Sequence, residues 1–142
     1  MRFWDSSALV PLFIEETGTD AVTALSNQDA GVAAWWGTLV ECAATLSRIG
    51  RQGQLSREEE FRVRQRFLRF ASAWLEIEPS GELRSGAVEL AGIHPLRAAD
   101  ALQLSAARLW VEGNPNGREF VCLDRRLREA ALREGFRVLP DA

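Results

Sequence analysis

The sequence predicts an α/β protein of three layers, in which helices cover both faces of a central, mostly parallel sheet of about five strands. Short runs of apolar and β-favouring residues alternate along the chain with longer amphipathic segments, and this alternation indicates βαβ units. The 142 residues are enough to bury a substantial core. No internal repeat, low-complexity tract or linker divides the sequence, so residues 1–142 are expected to form a single domain.

Turn signals separate the predicted elements along the chain. The first strand ends at Asp5, and Ser6 and Ser7 open the first helix. Glycines stand near the ends of later helices, and a turn cluster at residues 112–117 joins the sixth helix to the fourth strand. The strands are predicted at residues 2–4, 30–34, 74–78, 119–123 and 136–139. The helices are predicted at residues 6–14, 19–27, 35–50, 56–72, 81–92, 95–112 and 124–134.

Composition and charge exclude several classes of protein. Apolar residues make up 46% of the chain and charged residues 26%, as in an ordinary globular protein. No stretch approaches the roughly 20 apolar residues of a membrane helix, and the N-terminus lacks a signal-like apolar core, so a cytoplasmic protein without membrane partners is expected. Cys42 and Cys122 form no C-x-x-C motif and are expected to be reduced core residues. All 17 basic residues are arginine, a bias that suits phosphate binding and also arises from a GC-rich genome.

Two acidic residues directly follow predicted strands. Asp5 follows the first strand and Asp124 follows the fourth, each at the start of a helix. One interpretation is an N-cap, since aspartate accepts hydrogen bonds from the first free amides of a helix. The other is a ligand site, because ligands of open α/β sheets bind beyond the carboxyl ends of the strands. Either residue alone leaves both interpretations open.

Two further acidic residues interrupt apolar helices. Glu41 is the only charged residue between positions 30 and 47, and Asp100 lies among leucines and alanines, where aspartate is a poor mid-helix residue. A buried carboxylate is unfavourable unless it has a cation, hydrogen-bond donors or a raised pKa. The structural alternatives are an ion pair with Arg48 or a solvent-exposed position for Glu41, and an ion pair with Arg97 for Asp100.

A doubly wound sheet can bring all four carboxylates to one crevice at its carboxyl edge. They would repel one another there unless a cation neutralised them, and all-oxygen ligands select Mg²⁺ or Mn²⁺ over zinc. Such ions take part of their coordination from substrate phosphates, so phosphodiester hydrolysis is the favoured chemistry. His94, the only histidine, is interpreted as a loop residue, which argues against a histidine-rich zinc site or a Ser-His-Asp triad.

The same acidic residues carry a resemblance to a known family over essentially the whole chain. Four motifs resemble, in order, those of the PIN-domain nucleases, specifically the VapC-type toxins of toxin–antitoxin modules. The motifs are FWDSSAL with Asp5, TLVECAATL with Glu41, LRAADALQLSAA with Asp100 and FVCLDRRL with Asp124. The resemblance implies a PIN-like α/β/α fold and Mg²⁺- or Mn²⁺-dependent endoribonuclease activity, with these four acids as the catalytic and metal-binding residues.

The resemblance also assigns roles to individual residues. Asp5 and Asp100 would be direct metal ligands, and Asp124 would act directly or through water. Ser6 would support the first aspartate. Cys122 stands where family members often have Thr or Ser, so its weak S–H donor would orient Asp124 less firmly.

RNA must approach an acidic crevice, so basic residues are expected at its rim. The candidates for phosphate binding are Arg97, Arg125, Arg126 and Arg128. The resemblance further implies a VapB-type antitoxin partner and a homodimer. A groove formed by Trp35, Trp36 and Leu39 with the arginine-rich helix at residues 56–72 would suit an amphipathic antitoxin helix, whereas buried core is the alternative for both tryptophans.

Two other functions are compatible with parts of the pattern. A haloacid-dehalogenase-like phosphatase would carry a second aspartate two residues after Asp5, where this chain has Ser7. A catalytically weak or inactive PIN-like protein that binds RNA or metal is favoured only by Cys122, because all four acids are present. The nuclease therefore accounts for more of the sequence than either alternative.

Overall fold

A five-stranded sheet runs through the centre of the computed structural model, which describes residues 1–141. Every neighbouring pair of strands is parallel, and the strand order is β3-β2-β1-β4-β5. The strands are β1 (Arg2–Trp4), β2 (Val32–Trp35), β3 (Leu75–Ile77), β4 (Glu119–Val121) and β5 (Arg137–Leu139). The helices are α1 (Ser6–Leu9), α2 (Thr19–Gln28), α3 (Thr38–Arg51), α4 (Arg57–Ala71), α5 (Gly81–Ile93), α6 (Ala98–Trp110) and α7 (Arg125–Arg133).

Helices pack on both faces of this sheet because its strands carry apolar side chains in both directions. Phe3 and Trp4 follow one another in β1 and are both fully buried, yet they belong to opposite cores. Phe3 packs with residues of α5, α6 and α7, whereas Trp4 packs with residues of α1, α2, α3 and α4. The predicted three-layer α/β/α class is therefore confirmed.

The observed boundaries lie close to the predicted ones, with the largest change in the first helix. α1 ends at Leu9 and passes into a 3-10 turn over Val10–Leu12, where Pro11 has no amide hydrogen to continue the α-helical pattern. Cys42 and Cys122 are free and buried, as predicted. Within residues 1–141, no helix is both long and apolar enough to cross a membrane.

Two helices begin later than predicted, and both changes affect the candidate site. α3 begins at Thr38 rather than 35, because Trp35 still belongs to β2. α6 begins at Ala98 rather than 95, after an extended residue. Glu41 and Asp100 consequently lie in the first turns of their helices, where the helix dipole favours a negative charge. The expectation that Asp100 is a mid-helix residue is therefore wrong.

The strand order reverses beside β1. The chain runs outward from β1 through β2 to β3 on one side, and then crosses over to β4 on the other side of β1. The amide of Asp5 donates to the carbonyl of Val121 at 3.0 Å, so the ends of β1 and β4 lie side by side. Open α/β sheets bind ligands at this kind of reversal, beyond the carboxyl ends of the strands.

Candidate active site at the carboxyl edge of the sheet

A cavity of about 590 Å³ opens beside the carboxyl ends of β1 and β4. The four acidic residues predicted from the sequence all line it, namely Asp5, Glu41, Asp100 and Asp124. Glu16, Thr45 and Arg48 also line the cavity, although the sequence analysis assigned none of them to its surface. The fold thus brings together side chains that are distant along the chain, and their roles as metal ligands stay a prediction.

Asp5 is the most deeply buried of the acids. Its residue is 3% exposed, and its carboxylate caps α1 by accepting a hydrogen bond from the amide of Ser7 at 3.1 Å. Burial raises the pKa of Asp5 above the ordinary value, hydrogen bonds from Ser7 and Cys122 act in the opposite direction, and the charge of Asp100 raises it further. The N-cap and ligand interpretations of Asp5 are thus compatible, since one side chain can serve both.

Ser7 connects Asp5 to the loop that carries Asp124. Its hydroxyl donates to the Asp5 carboxylate and accepts from the amides of Leu123 at 2.9 Å and Asp124 at 3.2 Å. Ser6, which the resemblance suggested for this role, is farther away, with its hydroxyl 3.5 Å from Oδ1 of Asp5. A serine two residues after an N-cap aspartate is a signal that could have identified Ser7.

Cys122 contacts the buried aspartate rather than the carboxylate of Asp124. Its thiol lies 3.5 Å from Oδ2 of Asp5 and 3.5 Å from the carbonyl oxygen of Asp124. Burial, followed by the charge of Asp5, raises the pKa of the Cys122 thiol well above its ordinary range. The group is therefore a neutral, weak donor at physiological pH and is not a thiolate ligand.

Asp124 begins α7 as an N-cap. Its Oδ2 accepts a hydrogen bond from the amide of Leu127 at 3.0 Å. The N-cap interpretation offered for this residue is thus realised, as it is for Asp5. The cap fixes the orientation of this carboxylate, which lines the cavity together with the other three predicted acids.

Glu41 is held by an amide rather than by an arginine. Its Oε1 accepts a hydrogen bond from Nε2 of Gln103 at 2.7 Å, and the ion pair with Arg48 that was one structural alternative is not formed among the described residues. Burial raises the pKa of Glu41 to about 7, partly offset by Gln103, and the charges of Asp5 and Asp100 raise it further. A residue with this pKa is half protonated near neutral pH.

Asp100 forms the ion pair that was considered as its structural alternative. Nε of Arg97 lies 3.5 Å from Oδ2 of Asp100, but the Arg97 side chain is 78% exposed while that of Asp100 is 13% exposed. A pair with such an exposed partner is screened by water and contributes little to stability. The pair therefore leaves the carboxylate of Asp100 accessible from the cavity.

The candidate phosphate-binding arginines do not form one group. Arg97 lines the cavity together with Arg48, which sequence reasoning had considered only as a partner of Glu41. Arg125 is 92% exposed and lies 3.8 Å from Glu129, and Arg126 is exposed. Arg128 donates to the carbonyls of Cys122 and Pro140 at 2.7 Å each, so it braces the backbone and is not available for phosphate.

His94 lies outside the cavity. It follows α5 directly, as predicted for a loop residue, and it is buried. Its Nε2 is 2.7 Å from Oε2 of Glu134, near the end of α7. His94 therefore links two helices and takes no part in the acidic site.

The donor set of the cavity fits a hard divalent cation. Its predicted ligands are all carboxylates, and the raised pKa values of Asp5 and Glu41 show that charging these groups without a cation is unfavourable. In the part of the chain that the structure describes, no three His, Cys, Asp or Glu side chains stand close enough to hold one ion. Mg²⁺ sites commonly use only one or two protein carboxylates, and water or substrate supplies the other ligands.

The two tryptophans have different environments. Trp35 is buried in the core on the α5–α7 side of the sheet, whereas Leu39 packs against the core on the opposite side. Trp35 therefore cannot line one groove with Leu39 and α4, and that prediction is wrong. Trp36 is 50% exposed, so a buried-core role is wrong for Trp36 and right for Trp35.

The chain is similar in sequence to curated ribonucleases. No family model matches it. Two proteins of Mycobacterium tuberculosis, Ribonuclease VapC45 from strain CDC 1551 / Oshkosh and Ribonuclease VapC49 from strain ATCC 25618 / H37Rv, are each 33% identical to it over 139 residues. These matches cover 97% of this chain and 94% of each relative.

Solved structures share its fold at lower sequence identity. A toxin–antitoxin complex from Klebsiella pneumoniae contains a chain that matches with a TM-score of 0.68 and 18% identity, over 99% of this chain and 97% of that chain. VapC20 of Mycobacterium tuberculosis, described as a toxin that cleaves the sarcin-ricin loop, matches with a TM-score of 0.66 and 16% identity, over 92% of this chain and 95% of that chain. At these identities the structural matches establish the fold alone.

Proposed function

This chain belongs to the VapC family of ribonucleases, and from that premise we propose that it is a metal-dependent endoribonuclease that hydrolyses RNA phosphodiester bonds. We further propose that it is the cytoplasmic toxin of a type II toxin–antitoxin system. The observation that carries the proposal is the cavity at the carboxyl edge of the sheet, which the four predicted carboxylates line from four separate segments. Two arginines line the same cavity, and this mixture of charges suits a phosphodiester bound beside a cation.

We propose Mg²⁺ or Mn²⁺ as the cofactor. Asp5 and Asp100 would bind the ion directly, Glu41 would complete the acidic set beside them, and Asp124 would act directly or through water. When bound, such an ion neutralises the carboxylates and stabilises charge on the reacting phosphate. The capped aspartates need little reorientation to bind it, because Ser7 and the start of α7 already fix their side chains.

The arginines of the cavity would bind the RNA backbone. Arg48 belongs to α3 and Arg97 precedes α6, so they line the cavity from different segments of the chain. A guanidinium binds a phosphate through two parallel hydrogen bonds, which positions the RNA without reading its sequence. Arg125 and Arg126, at the start of α7 next to Asp124, would extend this contact along the strand.

The proposal is tested by metal-dependent cleavage of RNA. Purified protein is incubated with transfer RNA and ribosomal RNA in Mg²⁺, in Mn²⁺ and in EDTA, with Asp5→Asn as the matched variant, because asparagine still caps α1. We expect cleavage by the wild type only with metal, and a melting temperature that rises by several degrees in millimolar metal. Equal cleavage by wild type and Asp5→Asn would refute the assignment, and metal binding without cleavage would favour the inactive PIN-like protein.

An antitoxin would bind the groove between α3 and α4. A cavity of about 360 Å³ there is lined by Leu39, Leu68 and Trp74. The outer face of α4 carries exposed arginines at positions 57, 62, 64, 66 and 69. An amphipathic helix with an acidic flank complements this surface. We also propose that the protein forms a homodimer, and this part of the proposal rests only on the resemblance to VapC-type toxins.

We expect Leu68→Glu to weaken binding of the cognate antitoxin at least about tenfold, because it places a charge where an apolar anchor would be buried. Leu132→Glu is the control, since Leu132 is an exposed leucine of α7, outside the groove. Titration calorimetry with the purified antitoxin measures both variants. Equal losses in the two variants would show that the antitoxin binds another surface.

A further inference from the structure

Gln103 is a fully buried polar residue between the two helices that supply acids to the cavity. Its side chain is inaccessible to solvent. Its Nε2 donates to Oε1 of Glu41 at 2.7 Å and to the hydroxyl of Thr38 at 2.9 Å. Its Oε1 has no hydrogen-bond partner among the described residues. Burying an amide with an unpaired oxygen is unfavourable, so core packing alone does not explain a glutamine here.

The position of Gln103 connects the carboxylates of α3 and α6. Gln103 follows Asp100 by three residues on α6, and residues at this spacing share a helix face. From that face it reaches across to Glu41 on α3. The charges of Asp5 and Asp100 both act on Glu41, so the glutamate that Gln103 holds lies beside the other acids.

A glutamine at position 103 can hold the Glu41 carboxylate without neutralising its charge, which an arginine could not do. Nε2 of Gln103 donates a hydrogen bond to Glu41 without adding a positive charge. An arginine at this position would neutralise the carboxylate and compete with a bound cation. Glu41 bonds to Gln103 and forms no ion pair with Arg48 of its own helix among the described residues. The carboxylate of Glu41 and the guanidinium of Arg48 therefore both remain free to interact with a ligand in the cavity.

We propose that Gln103 is a positioning residue that orients the Glu41 carboxylate toward Asp5 and Asp100 for divalent metal binding, a role that rests on the proposed function. Thr38 completes the arrangement, because its hydroxyl accepts the second hydrogen bond of the amide and fixes its orientation. Outer partners of this kind orient the ligands of metal sites, and their loss typically lowers metal affinity by 10- to 100-fold.

The test replaces Gln103 with methionine, which has a similar length and no N–H donor. Ser105→Ala is the matched control, because Ser105 is a buried residue of the same helix whose hydroxyl donates to the carbonyl of Leu83 and does not contact the acids. Mn²⁺ binding is measured by titration calorimetry without RNA, and cleavage of transfer RNA and ribosomal RNA is measured against Mn²⁺ concentration. Circular dichroism melting in EDTA compares the stability of both variants.

We expect Gln103→Met to weaken Mn²⁺ binding about tenfold and to raise the Mn²⁺ concentration needed for half-maximal cleavage by a similar factor. Ser105→Ala should bind Mn²⁺ like the wild type, even if its melting temperature falls as much as that of Gln103→Met. Gln103→His, with an Nε2–H at a similar reach, should recover part of the affinity.

The possible outcomes separate this role from the proposed function. Wild-type Mn²⁺ affinity in Gln103→Met would overturn the role of Gln103 and leave the nuclease assignment intact. A wild-type protein that binds Mn²⁺ but cleaves no RNA, with binding lost in Gln103→Met, would support the role and refute the nuclease. A wild-type protein that binds no Mn²⁺ would refute both.

Discussion

Replacing Asp100 with alanine is expected to reduce RNA cleavage by about a thousandfold or more, because it removes a carboxylate from the centre of the proposed metal site. The side chain is 13% exposed and lines the same cavity as Asp5, Glu41 and Asp124. Its one ion pair among the described residues, with Arg97, is too exposed to contribute much to stability. The expected effect is therefore on chemistry rather than on folding.

The fold should survive this substitution. Alanine loses a favourable first-turn interaction with the helix dipole, of about 0.3–1 kcal/mol. It also relieves electrostatic repulsion, because the charge of Asp100 raises the pKa values of Asp5 and Glu41. In EDTA the two effects oppose each other, so the melting temperature should change little. Mn²⁺ should then raise the melting temperature of the wild type and not that of Asp100→Ala.

Asp20→Ala is a suitable control for Asp100→Ala. Asp20 is an exposed aspartate in the first turn of α2, so its loss removes a similar dipole interaction far from the cavity. This variant should cleave RNA like the wild type. Wild-type cleavage by Asp100→Ala, or a large loss of cleavage in Asp20→Ala, would contradict the assignment of Asp100 to the site.

The sequence predicts the fold well because its signals are local. Apolar strands, capping residues and glycine stops determine the alternation of elements, and this alternation restricts the sheet to a parallel, doubly covered form. The start of α3 lies later than the sequence predicts, since nothing in the local sequence separates the strand residue Trp35 from the helix that follows. Pairing of Trp35 with Ile77 in the neighbouring strand decides that boundary.

The acids of the site were predictable because a charge in an apolar segment is conspicuous, but their hydrogen-bond partners were not. Gln103 lies in the same motif as Asp100 and is an ordinary helix residue by composition; only the packing of α6 against α3 brings it to Glu41. The sequence does not distinguish Ser7 from Ser6, because the bonds of Ser7 to Leu123 and Asp124 join residues more than a hundred positions apart. Such contacts depend on tertiary structure, which periodicity does not reveal.

Replacing Glu41 with glutamine is expected to reduce cleavage by about a hundredfold or more while stabilising the metal-free protein. Glutamine keeps an oxygen that can accept the hydrogen bond from Gln103, and it removes a charge from a cavity that four other carboxylates line. The loss of a ligand lowers activity. The loss of an unfavourable charge raises the free energy of unfolding in EDTA.

The stabilisation should depend on pH in a defined direction. The pKa of Glu41 is about 7 in the folded protein and has an ordinary value of 4.5, so between these values the folded state holds a proton that the unfolded state releases. The stability that this proton provides is fully present below about pH 4.5 and is lost as the pH rises through 7. Glu41→Gln has no such proton, so its advantage over the wild type should grow with pH to about 1 kcal/mol, after allowance for solvent screening.

Urea unfolding in EDTA, over a pH range from about 5 to 8, measures this difference between Glu41→Gln and the wild type. Glu89→Gln, at an exposed position of α5, is the control and should give a difference that does not change with pH. Saturating Mn²⁺ should reverse the order of stability, because the ion binds the ionised wild type more tightly than the variant. A difference that stays constant with pH in EDTA would show that the Glu41 carboxylate is not destabilised by its surroundings, and the physical reason for placing a cation there would be lost.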